Sequence, residues 1–279
     1  MERHALEGCL DVLVGLGLVE ATGDKFAALP GFAELLRGPS AVMLKADLRS
    51  SLGQMTAIVE DAREAERPLE GWHASDPVVV EAQAIISELV QNRMQQMFLS
   101  HLEGLDERLS APGAAVLDVG SGGAGVCIAL ARWRPGLRIV GLEPAADAMA
   151  IGRRRVAESG VGDRIELRPL RIEQLTDVAA FDFAYVASMF MPDEALEKGL
   201  PAVLRALKPG GWLVTGASCI PGTDLASAAS RFKTATWGGG RRFAPDLVAA
   251  LERACFAQVM TPPAPGSGLA PVLARKAEG

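Results

Sequence analysis

The chain is expected to be an α/β protein, with a doubly wound, mainly parallel sheet preceded by a mainly helical region. Three observations point there. From Ala114 onward, short apolar runs of strand length alternate with longer amphipathic segments, as in strands buried on both faces and the helices that cover them. Before about residue 110, apolar residues recur at helical spacing instead. Gly120-Ser-Gly122-Gly-Ala-Gly125 directly follows the first of the apolar runs, where a chain turns from strand to helix beside a ligand.

The N-terminal part, residues 1–110, opens with a helical stripe of Leu6, Leu10, Leu13, Val14 and Leu16 that stops at Gly17. LVEATGDKFAAL then reads as a short two-stranded wing turning at Thr22–Gly23–Asp24, and Pro30–Gly31 punctuates before FAELLRG. Residues 40–65 and 76–109 read as two long amphipathic helices, with Ser75 or Asp76 as cap and Pro77 in the first turn of the second. Such helices form a lid or a dimer seam.

In residues 111–279 the expected strands are AAVLDVG, LRIVGLE, DRIELRP, FDFAYVAS, WLVTGAS and a closing pair, AQVMT with LAPVLARK. Between them lie the helices GAGVCIALARW, AADAMAIGRRRVAE and DEALEKGLPAVLRALK, a helical insert near 223–236, and APDLVAALERACF. Ligands of such sheets bind at the carboxyl ends of the central strands.

Composition bounds the partners. The 279 residues are 49% hydrophobic and 22% charged, without an apolar run near the roughly 20 residues that span a bilayer. Glu2, Glu7 and Asp11 are wrong for a targeting peptide, so a soluble, cytoplasmic protein is expected. The net charge of −6 is uneven: residues 1–110 carry nine Lys/Arg and eighteen Asp/Glu. An acidic accessory region repels nucleic acid. Cys9, Cys127, Cys219 and Cys255 are far apart and only three histidines exist, so neither a metal site nor a disulfide framework is expected; the cysteines read as buried small residues.

The cofactor question turns on Asp118, two residues before Gly120. A carboxylate at that strand end repels a pyrophosphate and attracts a ligand carrying an ammonium and a sulfonium. Glu143 ends the next strand, 25 residues on, where an acid accepts both ribose hydroxyls of either nucleotide type.

LDVGSGGAG, VGLEP, FDFAYVAS and LKPGGWLV resemble, in order and spacing, the motifs of class I S-adenosylmethionine-dependent methyltransferases, over about residues 111–276. The resemblance implies a Rossmann-like seven-stranded sheet of order 3-2-1-4-5-7-6, with the last strand antiparallel. It implies S-adenosyl-L-methionine as cofactor, held by Asp118, Gly120, Ser121, Gly122, Glu143, Pro144, Arg171, Ile172 and Ala187. Two departures stand out. The family's third loop glycine falls on Ala124, and Arg171 stands where an acid often faces the adenine amine. The N-terminal wing resembles the back half of the winged-helix module of small-molecule (natural-product) O-methyltransferases, which implies a homodimer acting on a secondary-metabolite acceptor.

The segment Ala187-Ser188-Met189-Phe190-Met191-Pro192, after the fourth strand, is expected to line the mouth between cofactor and acceptor, with Ser188, Met189 and Phe190 as pocket candidates; its three bulky apolar groups suit an apolar acceptor, though core packing would use the same residues. Trp72 and Trp237 are further pocket candidates. The half from Ala114 on holds no histidine, so His73 is the candidate base, with local packing as its alternative. Arg93 and Gln96 are candidates for the cofactor carboxylate. Rival readings are a cyclase or aminocarboxypropyl transferase releasing methylthioadenosine, a catalytically decayed cofactor-binding regulator, and a nicotinamide oxidoreductase that Asp118 opposes.

Overall fold

Apolar runs with few charges, placed between helices, have one way to satisfy both their backbone and their side chains: side-by-side pairing under helical cover. In the computed structural model, which describes residues 2–63, 71–72, 76–88, 99–263 and 270–279, those runs form one seven-stranded sheet. Its strands are β3 (Ala115–Val119), β4 (Arg138–Leu142), β5 (Ile165–Arg168), β6 (Phe181–Val186), β7 (Leu207–Ala217), β8 (Gln258–Met260) and β9 (Ala270–Arg275). The order is β5-β4-β3-β6-β7-β9-β8. Counted within the sheet this is 3-2-1-4-5-7-6, as expected. β9 alone runs against its neighbours, pairing antiparallel with both β7 and β8.

The described residues divide into two compact units, Met1–Leu48 and Arg49–Gly279. The first holds helix α1 (Arg3–Gly15), the hairpin β1 (Val19–Thr22) and β2 (Lys25–Ala28), and helix α2 (Pro30–Leu35). Gly17, at φ +66°, ends α1 by letting Leu18 N–H return to Leu13 C=O. The hairpin turns at Gly23–Asp24, as the wing pattern predicts. No residue of α1 is buried. Helix α3 (Gly38–Arg63) runs through the boundary between the units.

In the second unit, helix α4 (Pro77–Ser87) is capped by the Asp76 carboxylate, which accepts from Val78 N–H. Gly53 of α3 faces α4 so closely that a Cβ there would lie 2.2 Å from a Val79 methyl. The expected single helix over 76–109 is interrupted. After a 3₁₀ turn at Leu99–His101, Gly104 adopts φ +70° and a separate helix, α5 (Leu105–Ser110), begins. That left-handed residue cannot belong to a continuous helix.

The remaining helices are α6 (Gly125–Trp133), α7 (Ala146–Glu158), α8 (Asp193–Ala206), α9 (Leu225–Thr236) and α10 (Ala244–Arg253). Side chains alternate across each strand. Leu117 and Val119 of β3 therefore join the core beneath α8 and α10, while Val116 joins the one beneath α5 and α6. Asp118 shares the second face. α8 ends two residues sooner than its pattern suggests, and Leu207-Lys-Pro-Gly-Gly211 is already strand. Cys127 and Cys219 are buried, but Cys9 and Cys255 are exposed, against the expectation of four buried thiols. Among the described residues, no helix is long and apolar enough to cross a membrane.

Candidate functional site: a nucleotide crevice with an aromatic end

The glycine loop lies where β3 stops. Gly120 and Gly122 take φ +80° and +50°, and the Gly120 and Ser121 N–H groups both donate to Leu142 C=O at the end of β4. The Gly122 N–H donates to one Glu143 carboxylate oxygen and the Ala145 N–H to the other, each at 2.8 Å. Glu143 is thus held at the mouth of the loop by two backbone donors. Its pKa is nevertheless raised, because burial outweighs those two bonds.

Asp118 sits one layer deeper. It is fully buried, and burial pushes its carboxyl from 3.8 up to about 7; the Cys127 hydrogen bond opposes this and the Glu143 charge adds to it. The Cys127 thiol donates to Oδ2 at 3.1 Å, while Oδ1 has no partner among the described residues. Ser121 Oγ is likewise buried without a partner. Orphaned buried acceptors are costly and rare, and a cluster of them at a crevice points to a ligand that supplies donors.

The crevice is a cavity of about 320 Å³. Gly120, Ser121, Gly122, Glu143 and Pro144 form its floor, Leu170, Arg171, Ile172 and Glu173 one end, and Trp72, Phe190, Met191 and Pro192 the other. Nine of the cofactor and pocket candidates therefore meet in one space, Gly120, Ser121, Gly122, Glu143, Pro144, Arg171, Ile172, Trp72 and Phe190, and Met191 and Pro192 of the same post-β6 segment join them. Five lie behind its wall. Asp118 is beneath the loop, and Ala187 is buried with its methyl 3.5 Å from where a Gly120 Cβ would stand. Ser188 Oγ donates to Gly216 C=O and accepts from Thr215 Oγ1, which makes it a tie between strand ends. Met189 is buried, with its carbonyl against Gly239. Trp237 packs on Phe190 at 5.1 Å, and Phe190 meets Trp72 edge-on at 5.3 Å. His73, Arg93 and Gln96 lie outside the described residues.

One wall comes from the start of the helix read from sequence as a lid or a dimer seam. Helix α4 contributes Val80, Gln83, Ala84 and Ser87. It comes this close because the loop has glycines facing it: a Cβ on Gly123 would lie 2.8 Å from the Ala84 Cβ, and one on Gly125 2.0 Å from the Ala84 carbonyl oxygen. Gly125, the first residue of α6, therefore serves helix packing rather than ligand approach. Ion pairs of Glu81 with Arg154 and of Glu88 with Arg155 and Arg132 bind α4 to its neighbours. Ala124, in the place of the third glycine, holds φ +61°, a conformation costing an L-residue roughly 1–2 kcal/mol.

The donor set fits S-adenosylmethionine. An acidic pair at the glycine end suits an ammonium and ribose hydroxyls and opposes a pyrophosphate, and an uncharged aromatic end suits the sulfonium and its methyl.

Known proteins agree with that geometry. Residues 116–211 match a family described as "Methyltransferase domain". A ubiquinone biosynthesis O-methyltransferase of Hahella chejuensis is 35% identical over 113 residues, 39% of this chain and 45% of that protein. Its counterpart in Xanthomonas axonopodis is 28% identical over 169 residues, 59% of each. The chain thus spans about half the length of the curated relatives it matches. A putative O-methyltransferase of Nostoc punctiforme superposes with a TM-score of 0.69 over 99% of this chain and 85% of that one, at 15% identity. Human N-acetylserotonin methyltransferase, solved with its cofactor, gives 0.63 over 99% and 85%, at 16% identity. At such identities these structures establish the fold. The segment that matches a methyltransferase domain, residues 116–211, holds the glycine loop, Glu143 and the post-β6 turn, and it lies in a sheet with the strand order of the class I methyltransferase fold.

Proposed function

We propose that the protein is an S-adenosylmethionine-dependent methyltransferase acting on a small-molecule acceptor of secondary metabolism. The observation that supports this most is the meeting of Glu143, a glycine loop and an uncharged aromatic end in one cavity of about 320 Å³, with the buried Asp118 carboxyl directly beneath the loop. When bound, S-adenosylmethionine supplies an electrophilic methyl on a sulfonium.

The chain's own residues then orient and exclude. Glu143, steered by Gly122 and Ala145 N–H, receives the ribose hydroxyls, while the backbone of Gly120–Gly122 lies against the amino-acid moiety. Asp118 offers its free oxygen to the ammonium. Leu170, Arg171 and Ile172 flank the base. Trp72, Phe190 and Met191 keep water from the methyl, and Ala187, behind Gly120, sets the depth of the floor. Ser188, Met189 and Trp237 shape the acceptor pocket from behind. Positioning of this kind supplies most of the acceleration of an in-line displacement.

None of Trp72, Phe190, Met191 and Pro192 is ionisable. The acceptor therefore brings an acidic hydroxyl, a nucleophilic nitrogen or a carbanion-like carbon, or His73, adjacent in sequence to Trp72, takes its proton. The relatives from Hahella chejuensis and Xanthomonas axonopodis are O-methyltransferases, which favours oxygen as the acceptor atom.

Residues 1–110 are proposed as the accessory region and residues 111–279 as the catalytic domain. Within Met1–Leu48, Leu6, Val12, Leu16, Leu35, Leu36 and Val42 are exposed, apolar surface that a second copy of the chain would cover, which supports a homodimer.

The test is calorimetric titration with S-adenosylmethionine, S-adenosylhomocysteine and NAD, followed by radiolabelled methyl transfer to a panel of phenols, amines and enols. Micromolar binding of the sulfur nucleotides alone, with S-adenosylhomocysteine as product, is expected. No binding of either refutes the proposal, and methylthioadenosine as enzymatic product replaces it with cyclase or aminocarboxypropyl chemistry.

A further inference from the structure

The aromatic end of the cavity rests on a segment, Ser188–Asp193, that has little structure of its own: a 3₁₀ turn at Ser188–Phe190 leading into α8. Its own bonds are Phe190 N–H to Ala187 C=O and Met191 N–H to Ser188 C=O, each at 3.1 Å, and the Ser188 hydroxyl ties its start to Gly216. One buried cation adds bonds that span its whole length. The Arg242 guanidinium, 9% exposed, donates through Nη1 to Ser188 C=O at 3.0 Å and through Nη2 to Met191 C=O at 2.6 Å, and its Nε pairs with the Asp193 carboxylate. It thereby spans the whole turn, with one bond at its start, one after Phe190 and one at the first residue of α8. The planar fork of arginine matches such a three-point arrangement; a lysine ammonium cannot reach all three at once.

The chain leading to Arg242 is equally committed. A Cβ on Gly239 would lie 1.9 Å from Met189 C=O and one on Gly238 1.6 Å from Gly71 C=O, and Gly71 N–H donates to Gly238 C=O. The glycine run thus passes between Gly71–Trp72 and the turn, with Trp237 at its start and Arg242 at its end.

We propose that Arg242 is a positioning residue for the transfer step. Through Ser188, Met191 and Asp193 it sets where the Trp72–Phe190–Trp237 stack stands relative to the transferring methyl, without touching cofactor or acceptor. This rests on the methyltransferase reading for its purpose, but its geometry is testable apart from it.

The experiment uses the full chain labelled with 5-fluorotryptophan, whose four tryptophans, Trp72, Trp133, Trp212 and Trp237, report separately by ¹⁹F NMR. Arg242→Met is expected to shift or broaden the Trp72 and Trp237 signals and leave Trp133 and Trp212 in place. S-adenosylhomocysteine affinity should stay within threefold, because the Glu143 end of the cavity is not clamped by Arg242. Arg242→Lys should restore the two signals partly, and Asp193→Asn, which leaves both carbonyl bonds, should show a smaller change of the same kind. With the panel acceptor that the unaltered protein methylates, Arg242→Met should lower kcat at least tenfold with the cofactor KM within threefold. The proposal is overturned if Trp72 and Trp237 do not respond, or if all four signals move together, which marks a general loss of packing. It is also overturned if transfer is unchanged. Failure of the unaltered protein to bind S-adenosylhomocysteine would sink the methyltransferase reading and leave the ¹⁹F result standing.

Discussion

Replacing Asp118 by asparagine separates the carboxylate's charge from its shape. The folded protein holds the Asp118 proton up to about pH 7, against 3.8 for the unperturbed group, and desolvation is the main cause. The folded state therefore binds this proton more tightly than the unfolded chain does. Stability falls as pH rises from near 4 towards 7 and is level, for this group, above that. The full shift corresponds to ~4 kcal/mol at pH 8, of which ~3 kcal/mol accrues above pH 5. The asparagine side chain has nearly the same volume and can still accept from the Cys127 thiol, but carries no charge to desolvate. Urea denaturation of both proteins from pH 5 to 8 should show the variant gaining about 3 kcal/mol on the unaltered chain across that range. Cofactor affinity should move the other way. At pH 8 the variant should bind S-adenosylmethionine at least tenfold more weakly, the loss of about 1.5–3 kcal/mol expected for a hydrogen bond to a charged group. Calorimetry near pH 6.5 in buffers of different ionisation enthalpy should show a proton released on binding to the unaltered protein and none to the variant. Parallel denaturation curves, or equal affinity at pH 8, would refute the account of Asp118 as a destabilising acid retained for its ligand.

Three further outcomes follow from the same geometry, and a fourth from the sequence. Gly125→Ala places a methyl 2.0 Å from the Ala84 carbonyl oxygen, so the fold should lose about 1–3 kcal/mol and S-adenosylhomocysteine affinity should fall with it, read by urea denaturation and calorimetry. Ala124→Gly relieves a left-handed alanine at the cost of a looser unfolded chain, and should stabilise by roughly 0.5–1 kcal/mol in the same denaturation assay. Glu143→Gln puts an amide group against the Gly122 or Ala145 N–H and should weaken S-adenosylhomocysteine binding tenfold or more, with little effect on the far aromatic end. His73→Ala should reduce transfer to hydroxyl acceptors of high pKa about a hundredfold and leave acidic phenols nearly untouched, within the range of general-base effects, as radiolabelled transfer across a pKa series will show.

Much of the molecule was legible before any coordinates. Apolar runs of strand length after Ala114 can only be buried strands, and right-handed crossovers between them leave few sheet orders. Glycines at 120 and 122 and acids at 118 and 143 stand at strand ends, where side chains meet the crevice whatever the helices do. Eight of the nine converging candidates, all but Trp72, follow β3, β4, β5 or β6 and meet for that reason: strand ends are placed by local pattern and register. What the sequence left open depends on contacts between distant segments. PVVVEAQAIIS reads equally as a lid or a dimer seam, and what makes α4 a wall of the cavity is close backbone approach, permitted by Gly123 and Gly125 some 40 residues away. Nor does an arginine in GGGRRF disclose that it will clamp a turn about 50 residues earlier. The depth of Asp118, and with it a carboxyl that titrates near neutrality, is likewise tertiary. Its position beside Gly120 is written in the chain, but the dielectric around it is made by Cys127, Ser121 and the covering helices. Sequence determines which groups can occupy a strand end; packing decides which of them still see water.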